Sequence, residues 1–211
     1  MTIISKAYHS VKERKYTSPV FIDFSEFFCY HRHQVMNMRE QTKRSLCASN
    51  QGFQLPRYGE IPDVGLYLEQ VSKYIDQTLS PLGWEGLTGS MISNYVKKGL
   101  ISSPRKKQYN RDQIGHLLFI ALAKSVLSLE DLSTFIRLQE RTYTMEIAYD
   151  YFCLELENVL SYVFGLKEQI DSVGVENSDE KTMLRNCIIA ICHKIYLEKY
   201  IHAVAAEASE E

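Results

Sequence analysis

Residues 88–118 carry the pattern that most restricts how this chain folds. Thr88 is a good helix N-cap. Apolar residues follow it at spacings of three and four, namely Met91, Ile92, Tyr95 and Val96. Gly99 then stands where a glycine commonly ends a helix, and after a short basic run Asn110 is placed to cap the next helix. The order predicts a helix, a glycine stop, a basic turn and a second helix in close succession.

Further helices are predicted on both sides of this pattern. Asp63 is a good N-cap for a helix that Ser80-Pro81-Leu82-Gly83 ends. Its apolar residues at helical spacing are Leu66, Val71, Tyr74, Ile75 and Leu79. After residue 118, Ser128 opens another helix, with Asp131 at the third helical position as a near capping box.

Two longer helices are predicted in residues 138–211. From Ile147 to Ile170, apolar residues alternate spacings of three and four, which is typical of a heptad seam. Gly174 interrupts the pattern, and Ser178 or Asp179 starts the last helix. The seam has two interpretations: packing against the last helix of the same chain, or pairing with a second copy. Because the apolar stripe is wider than a strict seam, we expect intramolecular packing with dimerisation in addition.

The composition agrees with an all-α, mainly helical fold. The chain is 45% hydrophobic and 24% charged, and ten Gly and five Pro in 211 residues are few for a loop-rich β-sandwich. Five cysteines without a Cys-x-x-Cys pair favour reduced thiols. No stretch suits a secretory signal or a membrane span. We therefore expect a cytoplasmic protein without a membrane partner.

Charge divides the chain into three predicted parts. Residues 1–58 form a basic, aromatic N-terminal extension with a net charge of +5, and residues 59–127 carry +2. Residues 128–211 carry −9, and the acidic helical C-terminal region is taken to start at 138, after a central unit at 59–137. This asymmetry favours an anionic partner for the front of the chain and a different role for the back.

The most informative chemistry lies between Lys97 and Arg111, where six Lys or Arg residues occur without an acidic residue. A DNA-reading helix needs small or polar residues on its leading face, and flanking cations neutralise phosphates. The helix at 88–98 and the basic turn at 103–109 supply both. The predicted contacts to double-stranded DNA are Ser90, Ser93, Asn94, Tyr95, Lys97, Lys98, Arg105, Lys106, Lys107 and Arg111. A solvated basic turn on an ordinary surface is the simpler interpretation of the same charges.

The stretch NYVKKGLISSPRKKQYNRDQIGHLLFI resembles the MerR-type winged helix-turn-helix. The matching positions are Tyr95 for the family's helix tyrosine, Gly99-Leu100 for its turn, Arg105 for its wing arginine, and Tyr109-Asn110 for the start of the next helix. More closely, residues 61–114 are similar to a bacterial family catalogued as a domain of unknown function, itself regarded as MerR-like. The resemblance implies a short β wing, DNA binding in transcription regulation, and a homodimer formed through the C-terminal helices.

Two departures from the MerR pattern keep an alternative open. Ser93 stands where the family places a DNA-contacting arginine, and the wing is shorter and lacks the Gly-Tyr-Arg tip. The alternative is a protein-interaction module that retains the fold without reading DNA. A small-molecule effector pocket among the C-terminal helices fits either function, and the effector is unknown.

Catalytic and metal sites are not expected. The chain has no phosphate-binding glycine loop, nucleophile elbow or His-Glu-x-x-His motif, so we expect no enzyme activity and no cofactor. Cys29, His31 and His33 lie close together, but structural zinc needs four ligands. Cys187 and Cys192 are five residues apart and do not share a helix face, so we expect small core residues there.

Overall fold

Helices dominate the part of the chain that the computed structural model describes, which is residues 40–84, 86–174 and 178–208. The α-helices are α1 (Glu40–Ser49), α2 (Leu68–Leu79), α3 (Gly89–Lys97), α4 (Arg111–Ala123), α5 (Leu129–Thr142), α6 (Met145–Val163) and α7 (Asp179–Ala208). Two short strands, β1 (Leu66–Tyr67) and β2 (Gln108–Tyr109), pair antiparallel, and 3-10 turns occupy Tyr58–Glu60 and Ser80–Leu82. The mainly helical fold is confirmed. The predicted Cys29, His31 and His33 group lies outside the described residues.

Side-chain caps open the helices at the positions that the sequence predicts. The Thr88 hydroxyl accepts the Met91 N–H at the start of α3. Asn110 and Gln113 form a reciprocal capping box at the start of α4, with both N···O distances at 2.9 Å. At the start of α5 the Ser128 hydroxyl accepts the Asp131 N–H at 3.1 Å. Each cap satisfies backbone donors that the first helical turn leaves open.

Gly99 ends α3 as predicted. Its φ is +73°, in the left-handed region where a glycine has no Cβ penalty. The Gly99 N–H donates to the Val96 carbonyl and the Leu100 N–H to the Tyr95 carbonyl, both at 3.0 Å. These two bonds form a Schellman motif, which turns the chain sharply away from the helix.

The start of α2 differs from the prediction. The helix begins at Leu68 rather than after Asp63, with Tyr67 as its N-cap residue and Gln70 accepting the Tyr67 N–H. Leu66 and Tyr67 instead form β1, where Leu66 pairs with Tyr109 and Tyr67 with Gln108. The pairing partner lies about forty residues away along the chain, so helical spacing alone does not reveal it.

The heptad seam also ends earlier than predicted. Helix α6 stops at Val163, and Gly165 has a φ of +74° with the Leu166 N–H donating back to the Ser161 carbonyl at 2.8 Å. Leu166 is therefore outside the helix and is 37% exposed. The glycine one residue after Phe164 was the signal for this stop.

Helices α6 and α7 pack against each other within the chain, as the wide apolar stripe predicts. They run parallel, because successive contacts advance along both helices in the same direction. These contacts are the Tyr151 ring with Lys181, Glu155 with Arg185, and the Phe164 ring with Tyr196. Residues 164–174 return alongside α6, where the Asn158 amide donates to the Asp171 carbonyl at 2.8 Å.

One hydrophobic core runs from Leu55 to Ile195. Helix α4 lies at its centre, since ten of its thirteen residues are buried. Cys187 and Cys192 belong to this core, and burial raises the pKa of the Cys187 thiol to about 12. Within the described ranges, no helix combines the length and apolar character that crossing a membrane requires.

Candidate nucleic-acid interface

Helix α3 presents a polar face to solvent. Its inward side buries Ile92 and Tyr95 in the core. The outward residues are exposed, namely Ser90, Ser93, Asn94, Lys97 and the C-cap Lys98. Positions 90, 94 and 97 are spaced by four and three, so they share one side of the helix. This side is a continuous polar strip that ends in two cations.

The structure corrects the prediction for Tyr95. Its side chain is only 3% exposed and lies with the core residues, so it is not available to contact a phosphate group. Burial also raises the pKa of its hydroxyl, which stays neutral. Tyr95 belongs to the same apolar spacing series as Met91 and Ile92, which already indicated an inward position.

Side chains of α2 hold the start of α3. The Ser72 hydroxyl donates to the Leu87 carbonyl, and the Asp76 carboxylate accepts the Leu87 N–H at 3.0 Å. A Cβ at Gly89 would lie 3.1 Å from Leu68, so the first turn of α3 sits close to the first residue of α2. The exposed strip on α3 is therefore fixed relative to α2.

Arg105 to Gln108 form a tight basic turn. Lys106 and Lys107 have φ values of 52° and 63°, and the Gln108 N–H donates to the Arg105 carbonyl at 2.9 Å. Positive φ at both central residues is the signature of a type I′ turn, which usually takes Asn-Gly. Lysine at these positions costs conformational energy, yet both lysines and Arg105 are exposed.

The basic turn and the first turn of α3 lie at the same end of α2. Gln108 pairs with Tyr67 in the two-stranded sheet, and Tyr67 directly precedes Leu68 at the start of α2. Leu68 in turn faces Gly89. The cations of the turn and the polar strip of α3 thus flank one region of the surface.

Six of the predicted contacts carry unengaged polar groups: Asn94, Lys97, Lys98, Arg105, Lys106 and Lys107 make no side-chain hydrogen bond or ion pair with any described residue. Two hydroxyls are internally engaged, since Ser93 donates to the Gly89 carbonyl at 2.8 Å and Ser90 lies 2.9 Å from the Thr88 hydroxyl. A hydroxyl that donates within its helix still has lone pairs to accept a bond from a base.

Arg111 is placed differently from the other predicted cations. Its Nε donates to the Ile61 carbonyl at 2.9 Å, and its guanidinium lies 5.4 Å from the centre of the Tyr58 ring. The Nη2 of Arg111 lies 3.9 Å from the Oδ1 of Asp63. Because these contacts tie Arg111 to the segment before β1, we assign it a structural role at the base of the turn.

Three residues beside the interface were not predicted. Lys73 on α2 lines the open groove that also contains Ser90 and Ser93. Tyr67 is 53% exposed next to Gln108. Glu69 lies in the same groove and opposes an anionic partner there. All three residues fall within the helix predicted after Asp63, and helical spacing did not indicate that α3 would lie next to them.

Among the described residues, no group of three or more His, Cys, Asp or Glu side chains is arranged to hold a metal ion. The described residues form a mainly helical fold with a small antiparallel sheet and an exposed basic turn. Residues 56–152 match the model of a family described as a domain of unknown function, DUF1836. The matched segment contains both strands, α2 to α5 and the candidate interface. No curated protein and no solved structure matches the chain.

Proposed function

We propose that residues 59–137 form a winged helix-turn-helix and that this protein is a DNA-binding transcription regulator. The order of elements supports the fold: a strand, two packed helices, a tight turn leading into the pairing strand, and a capped helix. One observation carries the function. The three cations of the basic turn lie at the end of α2 where α3 begins, and Lys97 and Lys98 end the exposed polar face of α3; none of the five pairs with a described residue, which suits a polyanion.

The proposed binding mode assigns a different task to each part of the surface. Helix α3 enters the major groove, which is wide enough for an α-helix, and Ser90, Ser93 and Asn94 face base edges. The five cations contact phosphates and set the register, and they are Lys97, Lys98, Arg105, Lys106 and Lys107. The role is binding rather than catalysis.

The positive φ values of Lys106 and Lys107 support this mode. A sequence selected for stability alone would place Asn or Gly at the two central positions of a type I′ turn. Strained residues persist at functional sites because the function repays the cost. The turn places two exposed lysines at its tip, where a phosphate can reach them.

A salt titration of DNA binding tests the proposal. Fluorescence anisotropy with mixed-sequence duplexes measures affinity as a function of salt concentration. Replacing Lys106 and Lys107 by Gln removes two charges, so we expect the slope of log K against log salt to fall by about 0.9 for each lost phosphate contact. Lys194→Gln, on α7 outside this surface, is the matched control and should leave the slope unchanged. Binding and slope that do not respond to the double substitution contradict the proposal and favour a protein-interaction module.

The turn also permits a substitution that separates stability from binding. Lys106→Asn with Lys107→Gly matches the backbone preference of the turn, and we expect the free energy of unfolding to rise by about 1 kcal/mol. The same protein should bind DNA more weakly, because two cations are lost. Urea unfolding and anisotropy on one preparation measure both effects. A gain in stability without a loss in binding would remove the turn from the interface.

We also propose that the protein is a homodimer through α7. The last buried core residue of this helix is Ile195. Beyond it, Leu197, Ile201 and Val204 are 54%, 53% and 42% exposed, at spacings of four and three that place them on one side. An exposed apolar stripe on a helix is typical of a helix–helix interface.

The oligomeric state tests this part of the proposal. Leu197→Glu with Ile201→Glu puts charges on the stripe, so we expect sedimentation equilibrium to show a lower association constant. Val64→Glu changes a 73% exposed residue outside the stripe and is the control. A monomer at all concentrations in the unmodified protein would contradict the dimer.

A further inference from the structure

An open groove runs between α2 and the first half of α3, on the proposed DNA surface. Its α3 side is formed by Gly89, Ser90 and Ser93, and the two serines belong to the proposed base-reading face. The α2 side carries the charges of the groove, which are Glu69, Lys73 and Asp76. Two of these charged side chains have a clear role on such a surface, and the third does not.

Asp76 and Lys73 are the two that are accounted for. The Asp76 carboxylate accepts the Leu87 N–H at 3.0 Å and holds the chain before α3. Lys73 is exposed and adds a cation, which suits a phosphate group. Glu69 does neither, because it makes no hydrogen bond that fixes α3 and its negative charge opposes phosphates. On a surface for a polyanion this carboxylate weakens binding unless it meets a hydrogen-bond donor.

The Glu69 carboxylate finds no such donor within the described part of the chain. Glu69 is exposed in the first turn of α2 and makes no side-chain hydrogen bond or ion pair with a described residue. Lys73 lies four residues later on the same side of α2, at a spacing that commonly pairs Glu with Lys. Their charged groups are nevertheless not within ion-pair distance. The carboxylate is therefore open to a donor from a bound partner.

The base edges in the major groove of DNA restrict which donor that is. Cytosine presents its N4 amino group there, and adenine presents its N6 amino group beside the N7 acceptor. Guanine offers acceptors alone, and thymine offers an acceptor and a methyl group. Because the N7 of adenine repels a carboxylate, cytosine is the base that a carboxylate fits best.

We propose that Glu69 is a specificity-determining residue, whose carboxylate accepts the N4 amino group of one cytosine in the major groove. A Cβ at Gly89 would lie 3.1 Å from the Leu68 side chain, so Glu69 lies beside the first turn of α3. In helix-turn-helix proteins the N-terminal residues of the recognition helix are the ones that reach base edges. This inference rests on the proposed DNA binding and names one base pair that the surface selects.

Base preference is the readout that tests the role of Glu69. Selection from a random duplex library gives the preferred site of the full-length protein, and anisotropy measures affinity for that site and its single-base-pair variants. We expect one C·G pair whose replacement weakens binding by about fivefold or more. In Glu69→Ala the same replacement should have little effect. Glu69→Gln should prefer adenine at that position, because an amide both donates to N7 and accepts from N6.

The affinity for mixed-sequence duplexes gives a second readout with a definite sign. Glu69→Ala should bind them more tightly than the unmodified protein, because a charge that repels phosphates is lost. The loss of Lys106 and Lys107 should have the opposite effect. Glu130→Ala is the matched control, since Glu130 is also exposed in the first turn of a helix but lies on α5. It should keep the preference for the C·G pair.

A modified base identifies the atom that Glu69 contacts. The base 2-pyrimidinone differs from cytosine only by the missing N4 amino group, so placing it in the selected site should weaken binding of the unmodified protein and not of Glu69→Ala. If the unmodified protein and Glu69→Ala prefer the same bases at every position, the inference is overturned while DNA binding stands. If the unmodified protein binds no duplex even at low salt, the inference and the proposed function are both contradicted.

Discussion

His116 shows at the scale of one residue how burial sets chemistry. It lies on α4 beside a small cavity of about 30 Å³ that Tyr149 also lines. Its Nε2 is buried without a hydrogen-bond partner, and the nearest carboxylate oxygen is Oε1 of Glu140 at 3.7 Å. Burial lowers the pKa of His116 below 6.5, and the Glu140 charge only partly opposes this effect. The imidazole is therefore neutral in the folded protein at neutral pH.

A lowered pKa makes stability depend on pH with a definite sign. The unfolded chain takes up a proton at His116 near pH 6.5, whereas the folded protein does so only at lower pH. We expect the free energy of unfolding to fall as the pH drops below about 6.5. The His116→Gln variant should show a smaller fall, because it lacks the contribution of His116. Urea unfolding between about pH 7 and pH 5 measures it, with exposed His202→Gln as the control. A difference between His116→Gln and unmodified protein that stays constant with pH would contradict this account.

At the scale of elements, the connection between α2 and α3 depends on one close approach. A Cβ at Gly86 would overlap the Asp76 carboxylate, and that carboxylate also accepts the Leu87 N–H. Gly86 is needed here because there is no room for a side chain, and not for its backbone conformation, because its φ is not positive. Asp76 holds the chain just before the Thr88 cap, so the position of α3 on α2 depends on both residues.

We expect Gly86→Ala to destabilise the protein by about 1–3 kcal/mol, because the added methyl displaces Asp76. Asp76→Ala removes the same hydrogen bond and also makes room for the methyl. The double variant should therefore be less destabilised than the two single effects added together. Chemical denaturation of all three proteins measures this, and Gly59→Ala is the control because no atom lies within 4 Å of its added Cβ. Additive effects would show that the two residues are not coupled.

At the scale of the whole molecule, the candidate DNA-binding part and the back helices share one core. Buried residues from Leu55 through Ile92 in α3 to Ile195 in α7 form a single cluster around α4. A shared core couples the stabilities of the two parts, because unfolding either part would expose the apolar surface that the other packs against.

We therefore expect residues 40–208 to unfold in one cooperative transition. Trp84 emission reports on the connection between α2 and α3, and far-UV circular dichroism reports on all helices together. The two midpoints should coincide in thermal and in urea unfolding. Ile188→Ala, at a fully buried position on α7, should lower both midpoints equally. Separate transitions would show that residues 59–137 and 138–211 fold independently.

The positions of most helix ends follow from the sequence alone. Thr88, Asn110, Ser128 and Gly99 act on backbone groups within a few residues, so the chemistry that starts or stops a helix is contained in the local sequence. Gly165 is a local signal of the same kind. The basic run and its exposed position could also be predicted, since charged side chains rarely leave water unpaired.

Only the tertiary structure decided features that join distant parts of the chain. The pairing of Leu66 with Tyr109 shortens α2, because ladder hydrogen bonds compete with the first helical turn. Packing in the core withdraws Tyr95 from the proposed surface, and the hydrogen bond to the Ile61 carbonyl withdraws Arg111. The groove that contains Glu69 exists because α3 packs beside α2, which helical spacing does not indicate. The spacing of residues along the chain predicts where a helix forms. Which element each apolar helix face packs against depends on how all the apolar faces are buried together.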